Sequence, residues 1–250
     1  LKWSQFPSPF VGDVIPVSFT ADNKELFLIA ASSGDKTVKG LYRLNLESKE
    51  YTQVYHAGDT DVVLPFLSRE RELYGVGVER HYPEFVAVDA SHELTAITQA
   101  LISSFGGANL AITSVTDDKS KLVFEVSAPD NPGTFYLFDR KKNKATFLLR
   151  AYSRIDATLL SPTEGFTIMS RDGLTLHGYF TLPKEDATNL PLVVMPHGGP
   201  HARDYWQYDP TVQALAANGY SVLQVNFRGS TGFGESFMEA GYGEWGRNTQ

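Results

Sequence analysis

A nine-residue pattern recurs three times in the first half of the chain, and no other feature limits its fold as tightly. It runs FTADNKELF from Phe19 to Phe27, FLSRERELY from Phe66 to Tyr74 and VTDDKSKLV from Val115 to Val123, the copies starting 47 and then 49 residues apart. In each copy an apolar strand end leads into a polar turn, then a Lys or Glu, then Leu and a further apolar residue. Self-similarity at such a period belongs to sheet-blade architectures, in which a unit that cannot bury its apolar face alone stacks on its neighbours.

Each repeat resolves into four short strands. In the first, β-branched and aromatic runs from Val14 to Phe19 and from Leu26 to Ala31 flank Asp22-Asn23. Leu41 to Leu46 and Tyr51 to Tyr55 then alternate apolar with polar on either side of the Ser48-Lys49 turn. The third repeat matches, with Leu110 to Val115, Leu122 to Val126, Phe135 to Phe138 and, after the basic turn Arg140 to Lys144, Thr146 to Leu149. The second is interrupted. Ser91 is placed to cap a helix with Glu93 in its first turn and Leu94, Ile97, Leu101 and Ile102 at helical spacing, ended by Gly106-Gly107. One blade is therefore expected to carry a helical insertion where its outer strand would start. The predicted architecture is a partial β-propeller of four-stranded blades whose earlier blades lie upstream of Leu1. A sandwich with accidental self-similarity is the competing fold, disfavoured because the repeated turn sits at the same strand junction each time.

After Arg150 the period stops. A connector ends at Ser161-Pro162. Phe166 to Ser170, the turn Arg171-Asp172-Gly173 and Leu174 to Leu182 then form a hairpin, with Asp-Gly supplying positive φ. The polar loop Lys184 to Asn189 precedes an apolar run, Leu190 to Met195, with the character of a buried strand. Pro210 suits the first turn of a helix over Thr211 to Asn218, stopped by Gly219, and Tyr220 to Asn226 is a second buried strand. Strand, loop, helix, strand opens an α/β sheet. The expected division is residues 1–160 as the carboxy-terminal blades of a propeller, and 161–250 as the beginning of a second, α/β domain.

Composition narrows the function. With 250 residues, 42% of them hydrophobic, the chain buries a core without staples, and having no cysteine it can hold no disulfide framework, thiolate zinc site or cysteine nucleophile. Twenty-two Lys and Arg against 29 Asp and Glu give a net charge of −7, which argues against a nucleic-acid partner. No apolar run approaches the roughly 18 residues of a spanning helix, so no membrane partner is expected. Leu1-Lys2-Trp3-Ser4 lacks the charged-then-apolar order of a secretory leader, and with the absence of cysteine this points to a cytoplasmic protein. A chain that starts at Leu1 and stops at Gln250, just after a Gly-rich aromatic stretch, reads as an internal piece of a longer protein.

Two loops carry chemistry. His197-Gly198-Gly199-Pro200 directly follows a predicted strand, and successive glycines let backbone N–H groups approach a ligand atom with no Cβ in between. In α/β-hydrolases a loop of this kind supplies one donor of the oxyanion hole, and the residue after the nucleophile supplies the other. The second loop, Phe227 to Gly234, leaves the next strand where sheet folds place ligand-contacting loops. It has neither the Gly-Lys-Ser/Thr of a phosphate loop nor G-x-G-x-x-G spacing, so nucleotide binding is not expected. Arg228 is expected to make a salt bridge that ties this loop to its domain, ahead of a role in substrate contact.

Taken in order, Ser170 to Gly178 (SRDGLTLHG), His197-Gly198-Gly199-Pro200, Asn226 to Gly234 (NFRGSTGFG) and Gly243-Glu244-Trp245-Gly246 resemble the front of the catalytic domain of the prolyl oligopeptidase family of serine peptidases, closest to its acylaminoacyl-peptidase-like branch. That family also has a propeller before this domain, so the resemblance implies a β-propeller followed by residues 161–250 as the amino-terminal portion of an α/β-hydrolase catalytic domain, truncated before its nucleophile. The resemblance implies a Ser–Asp–His hydrolase of short peptides, with the propeller restricting access. It places Gly198 and Gly199 at the oxyanion-loop positions, and puts His197 where other branches have a tyrosine that donates through its hydroxyl. Arg228 and Gly229 match the family's Arg-Gly-Ser turn, which shapes the site. His197, Arg228 and Tyr205 are the candidate binding residues. No cofactor is implied, and a homo-oligomer is compatible with the resemblance.

The chain contains no G-x-S-x-G; the nearest run, Gly234-Glu235-Ser236-Phe237-Met238, ends in Met. The triad order of α/β-hydrolases would then place all three members after Gln250 and leave these residues inactive alone. His197 and His201 are four apart, but Gly-Gly-Pro between them breaks any helical metal spacing. His56, His81, His92 and His177 are expected to serve as hydrogen-bonding residues, and Asp22-Asn23 and Asp117-Asp118 as turns. The aromatic cluster Tyr205, Trp206 and Tyr208 is expected in the core or at the domain seam. Two other classes fit the same residues: a propeller interaction module joined to a degenerate hydrolase domain, and an esterase on the same scaffold.

Overall fold

The computed structural model describes residues 8–33, 35–184, 188–199 and 201–249, and for 35–37 the backbone alone. Leu1 to Ser4, part of the loop from Lys184 to Asn189, Pro200 and Gln250 lie outside the described residues. Three antiparallel meanders come first. Strands β1 (Phe10–Phe19), β2 (Glu25–Ser32), β3 (Asp35–Asn45) and β4 (Tyr51–Tyr55) form one sheet in chain order; β5 (Val62–Leu67), β6 (Leu73–Glu79) and β7 (Pro83–Ala87) form a second. Helix α1 (Glu93–Ser104) follows, then β8 (Asn109–Val115), β9 (Lys121–Ala128), β10 (Asn131–Asp139) and β11 (Lys144–Arg150) in a third sheet. The middle sheet thus has a helix after its third strand. His92, not Ser91, caps that helix, accepting the Leu94 N–H at 3.1 Å, because the Ser91 hydroxyl is engaged by Asp89 at 2.6 Å.

The repeated motif is the turn between the first and second strand of each sheet, and its hydrogen bonds explain its letters. Thr20, Ser68 and Thr116 place a side-chain oxygen where it accepts the N–H of Glu25, Glu72 and Lys121, at 3.1, 3.2 and 3.1 Å. Asn23, Arg71 and Lys119 occupy the left-handed region at φ 58°, 65° and 53°. These positions recur every 48 residues. The 47 and 49 seen in the sequence arise because the middle turn closes one residue sooner, Ser68 N–H donating to Glu72 O where Thr20 and Thr116 reach Glu25 and Lys121. The turns also touch one another. Arg71 Nη1 donates to Asn23 Oδ1 at 2.8 Å and the Arg69 guanidinium pairs with Asp117, each across 48 residues. Such exposed pairs contribute about 0.2–1 kcal/mol each, so they align the sheets more than they stabilise them.

Stability comes from the faces. Phe27, Ile29, Leu41, Val62, Val76 and Val78 form one buried cluster between the first and second sheets. Tyr74, Leu94, Leu101, Leu110, Leu122, Phe124, Val126 and Phe138 form another that joins the second sheet, α1 and the third sheet.

The last sheet has order β12-β13-β15-β14. Its hairpin, β12 (Thr163–Met169) and β13 (Thr175–Thr181), turns at Gly173 with φ 86°. Strand β15 (Ser221–Asn226) pairs antiparallel with β13 and parallel with β14 (Leu192–Val194), and α2 (Pro210–Ala217), capped by Asp209, connects β14 to β15. The expected burial of the Leu190 to Met195 run does not hold. The strand is three residues long, with Leu192 53% and Val194 58% exposed, because it pairs on one side only and no described residue covers its outer edge. A short helix, α3 (Glu235–Glu239), was not legible in the sequence; its buried Glu235 pairs with Lys39 of the first sheet at 3.3 Å. Among the described residues no helix is long and apolar enough to cross a membrane.

The middle sheet abuts the last one through a histidine pair. His177 Nδ1 lies 3.1 Å from His81 Nε2, which also meets Thr167 Oγ1 at 3.2 Å, and the His177 ring stacks on Phe233 at 4.5 Å. Gly165 is obligatory here, since a Cβ on it would sit 2.5 Å from that of His81. Burial pushes His177 down to about 4, helped by the positive neighbours Arg203 and Arg80, and lowers His81 too.

Two outcomes follow. Replacing fully buried Phe124 by Ala should cost about 3–5 kcal/mol in denaturant unfolding, whereas Phe147→Ala, 54% exposed, should cost well under half of that. The histidine pair binds fewer protons when packed than when open, so its contribution to stability should be constant above about pH 6.5 and fall as pH drops towards 4. Unfolding midpoints across that window should lose part of this slope in His177→Gln.

Candidate functional site

Parallel pairing of β14 and β15 brings their carboxyl ends side by side, Val194 opposite Leu223, and so sets the loops His197–Gly199 and Phe227–Ser230 against each other. His197 bridges them. Its Nδ1 is 2.8 Å from Gly198 O and its Nε2 2.7 Å from Ser230 Oγ, while the ring stacks on Phe227 at 4.4 Å. A carbonyl only accepts, so in the neutral ring Nδ1 carries the proton and Nε2 accepts the Ser230 hydroxyl. Ser230 is fully buried, and its hydroxyl is committed to this bond. A serine so placed anchors a loop; it is not presented to a substrate.

The anchored loop exposes both glycines. Gly199 sits at φ 137°, and a Cβ there would lie 2.8 Å from His201 N and 3.2 Å from Ala202 N, so only glycine suits the position. Gly198 has open space around it. Among the described residues neither glycine N–H has a protein acceptor, so both remain available as donors. Gly199 and His197 line a cleft of about 880 Å³, whose wall includes Val194, Leu176, Val225, Phe227 and the exposed Trp245.

Arg228 leaves β15 on the same side and also lines the cleft, with its guanidinium engaged by protein partners. Its Nη2 lies 2.7 Å from both oxygens of Asp172 in the hairpin turn, and its Nε donates to Asn248 O at 2.8 Å. The Ser170 hydroxyl and then Arg228 hold the Asp172 carboxyl down at about 2. The guanidinium therefore ties the β15 exit to both the hairpin and the 244–249 segment. Tyr205 does not line the cleft; its ring lies under the Arg203 guanidinium at 4.6 Å. Trp206 packs edge-on against Tyr82 of the middle sheet and donates through Nε1 to Thr163 O at 2.9 Å, while Tyr208 meets Tyr152. His201 meets Gly229 O at 3.2 Å, and no group of three metal-ligating side chains occurs among the described residues. Sequence reasoning missed Ser230 as the partner of His197, because nothing in a run of Arg-Gly-Ser indicates a contact 33 residues upstream. It also missed Arg203, an ordinary arginine in sequence.

Residues 206–250 match the sequence profile of the Prolyl oligopeptidase family. Dipeptidyl aminopeptidase BIII of Pseudoxanthomonas mexicana is 33% identical over 255 residues, which covers 97% of this chain and 36% of that protein. The chain belongs to the prolyl oligopeptidase family. Other members are similar over the same or shorter stretches. Dipeptidyl peptidase family member 6 of Caenorhabditis elegans is 29% identical over 93% of this chain and 34% of its own length, and the human acylamino-acid-releasing enzyme is 52% identical over 20% of this chain and 7% of its own. The chain thus spans about a third of the length of the relatives it matches along its whole extent. In fold it is similar to a puromycin-hydrolyzing peptidase of Mycobacterium tuberculosis, with a TM-score of 0.62 at 20% identity over 94% of this chain and 36% of that one. The Pyrococcus horikoshii acylaminoacyl peptidase superposes with a TM-score of 0.58 at 19% identity, over 91% and 35%.

In this family member, Arg228→Lys keeps the charge but cannot hold Asp172 and Asn248 at once. Limited proteolysis should cleave faster between residues 228 and 249 in that variant than in the wild type, and Asp172→Asn should show a smaller effect of the same sign.

Proposed function

We propose that the complete protein is a serine peptidase acting on short peptides, in which residues 161–250 begin an α/β-hydrolase catalytic domain and residues 1–160 are blades of a β-propeller beside it. The observation that carries this reading is the pair of N–H groups at Gly198 and Gly199 that have no acceptor among the described residues, held at the exit of a parallel strand by the His197–Ser230 bond. Family membership supports the hydrolytic chemistry, and the three meanders support the propeller.

In this mechanism a serine outside these 250 residues attacks the peptide carbonyl, a histidine takes its proton, and an aspartate orients that histidine. Negative charge then develops on the carbonyl oxygen. Gly198 or Gly199 donates to it through the backbone, and His197 contributes by fixing the loop instead of by a side-chain donor. Arg228 keeps the floor of the site in place through Asp172. Removing one such donor costs a factor of about 10²–10³ in kcat.

The test is a fluorophosphonate probe on the complete protein, followed by kinetics on peptide and ester substrates. Labelling of one serine and peptide cleavage are expected, and Gly199→Val should lower kcat by about 10²-fold with little change in KM, since the contact strengthens in the transition state. A complete protein that takes up no probe refutes the peptidase reading and favours an interaction module. Ester cleavage with no peptide cleavage assigns the scaffold to an esterase.

A further inference from the structure

We infer that Glu79, at the end of β6 in the middle sheet, is a positioning residue for the Gly198–Gly199 loop, acting across the seam between the meanders and the last sheet; the catalytic side of this inference rests on the oxyanion reading above.

The geometry is a clamp. Glu79 Oε1 accepts the backbone N–H of Trp206 at 2.7 Å and the Tyr179 hydroxyl at 3.1 Å, and the side chain is buried. The Glu79 carbonyl accepts Arg203 Nη1 at 2.9 Å, and the Arg80 carbonyl accepts Nη2 at 3.4 Å. Arg203 and Trp206 lie four and seven residues after Gly199, so one residue of the middle sheet fixes the segment that follows the glycines at two points from outside the last sheet. From the other side, Asn226 at the end of β15 donates to Asp204 O at 3.1 Å and accepts Asp204 N–H at 2.7 Å, and Thr231 N–H donates to Ala202 O at 3.0 Å. The segment is thus held between β15 and β6 with no regular structure of its own.

Arg203 shows why the clamp is specific. Its guanidinium lies between the rings of Tyr205 and Phe233, at 4.6 and 4.4 Å, and a Cβ on Gly232 would come within 2.6 Å of its Nη1. The Gly232 carbonyl in turn accepts Thr60 Oγ1 and Asp61 N–H, both at 3.0 Å, from the approach to β5. Burial raises the Glu79 carboxyl, and Trp206 N–H, Arg203 and Tyr179 oppose that rise, so the group is retained at a position where an apolar residue would be easier to bury. A side chain serving only the core of its own sheet would not need two hydrogen-bond partners from the other side, beside the Arg203 bond to its own carbonyl.

The experiment is hydrogen exchange on the complete protein, comparing wild type with Glu79→Ala and Glu79→Gln, alongside steady-state kinetics. In Glu79→Ala, amides of residues 198–206 should exchange about tenfold faster, with exchange in β9 and β10 unchanged. The same variant should lose about tenfold in kcat with KM within about twofold, while Glu79→Gln, whose amide oxygen still accepts both bonds, should restore both readouts. If Glu79→Ala does not fold, Arg203→Gln cuts the same clamp from the loop side and should give the same local acceleration. Wild-type exchange at 198–206 in the folded variant overturns the inference, even where the protein labels with fluorophosphonate and remains a peptidase. Accelerated exchange in a protein that takes up no probe leaves the clamp standing and removes the peptidase reading alone.

Discussion

Strand β15 is hydrogen-bonded on both sides, antiparallel to β13 and parallel to β14, and the arrangement of the last sheet depends on that double pairing. Its parallel neighbour sends a loop out at the same end, so His197 can reach Ser230 and Phe227. Its antiparallel neighbour begins at the Asp-Gly turn, so Asp172 can reach Arg228. Asn226, fully buried at its last position, holds the segment after the glycines. A slip of one residue in this strand would turn Asn226 to the opposite face and shift the loop that follows it out of register with His197 and Asp172.

The meanders obey a different constraint. A three- or four-stranded antiparallel sheet cannot bury both faces by itself, and here consecutive sheets are apposed through two shared apolar clusters. The exposed turns add register: Arg71 meets Asn23, and Arg69 meets Asp117, in equivalent positions one repeat apart. The middle sheet also serves the seam, where Glu79, Arg80, His81 and Tyr82 face Arg203, Trp206, His177 and Gly165. That stretch begins at the last residue of β6, so the residues that fill the core run straight into those that reach the other sheet.

Much of this was legible in the sequence. The repeats located the strand junctions because a hydroxyl residue, an acidic or polar pair and an apolar restart make one kind of turn. Pro210 and Gly219 bounded α2 for the same local reason. The two glycines of the candidate site and the salt-bridging role of Arg228 were also local inferences, one from missing side chains and the other from a loop cation that needs a partner. Where local reasoning failed, a neighbour decided. Ser91 lost its capping role to a contact with Asp89, and Leu192 and Val194 are exposed because among the described residues their strand pairs on one side only.

By itself, then, the sequence determined what depends on residues close along the chain: the turn chemistry, the alternation that makes strands and the glycines that let the backbone approach a ligand. Only the tertiary structure decided which distant groups meet. The bond from His197 to Ser230, the pair formed by Arg228 and Asp172, and the hold of Glu79 on Trp206 span 33, 56 and 127 residues. The physical reason is that side-chain identity limits what a residue can bond to, whereas the partner it finds is set by strand order and register, which are properties of the whole sheet.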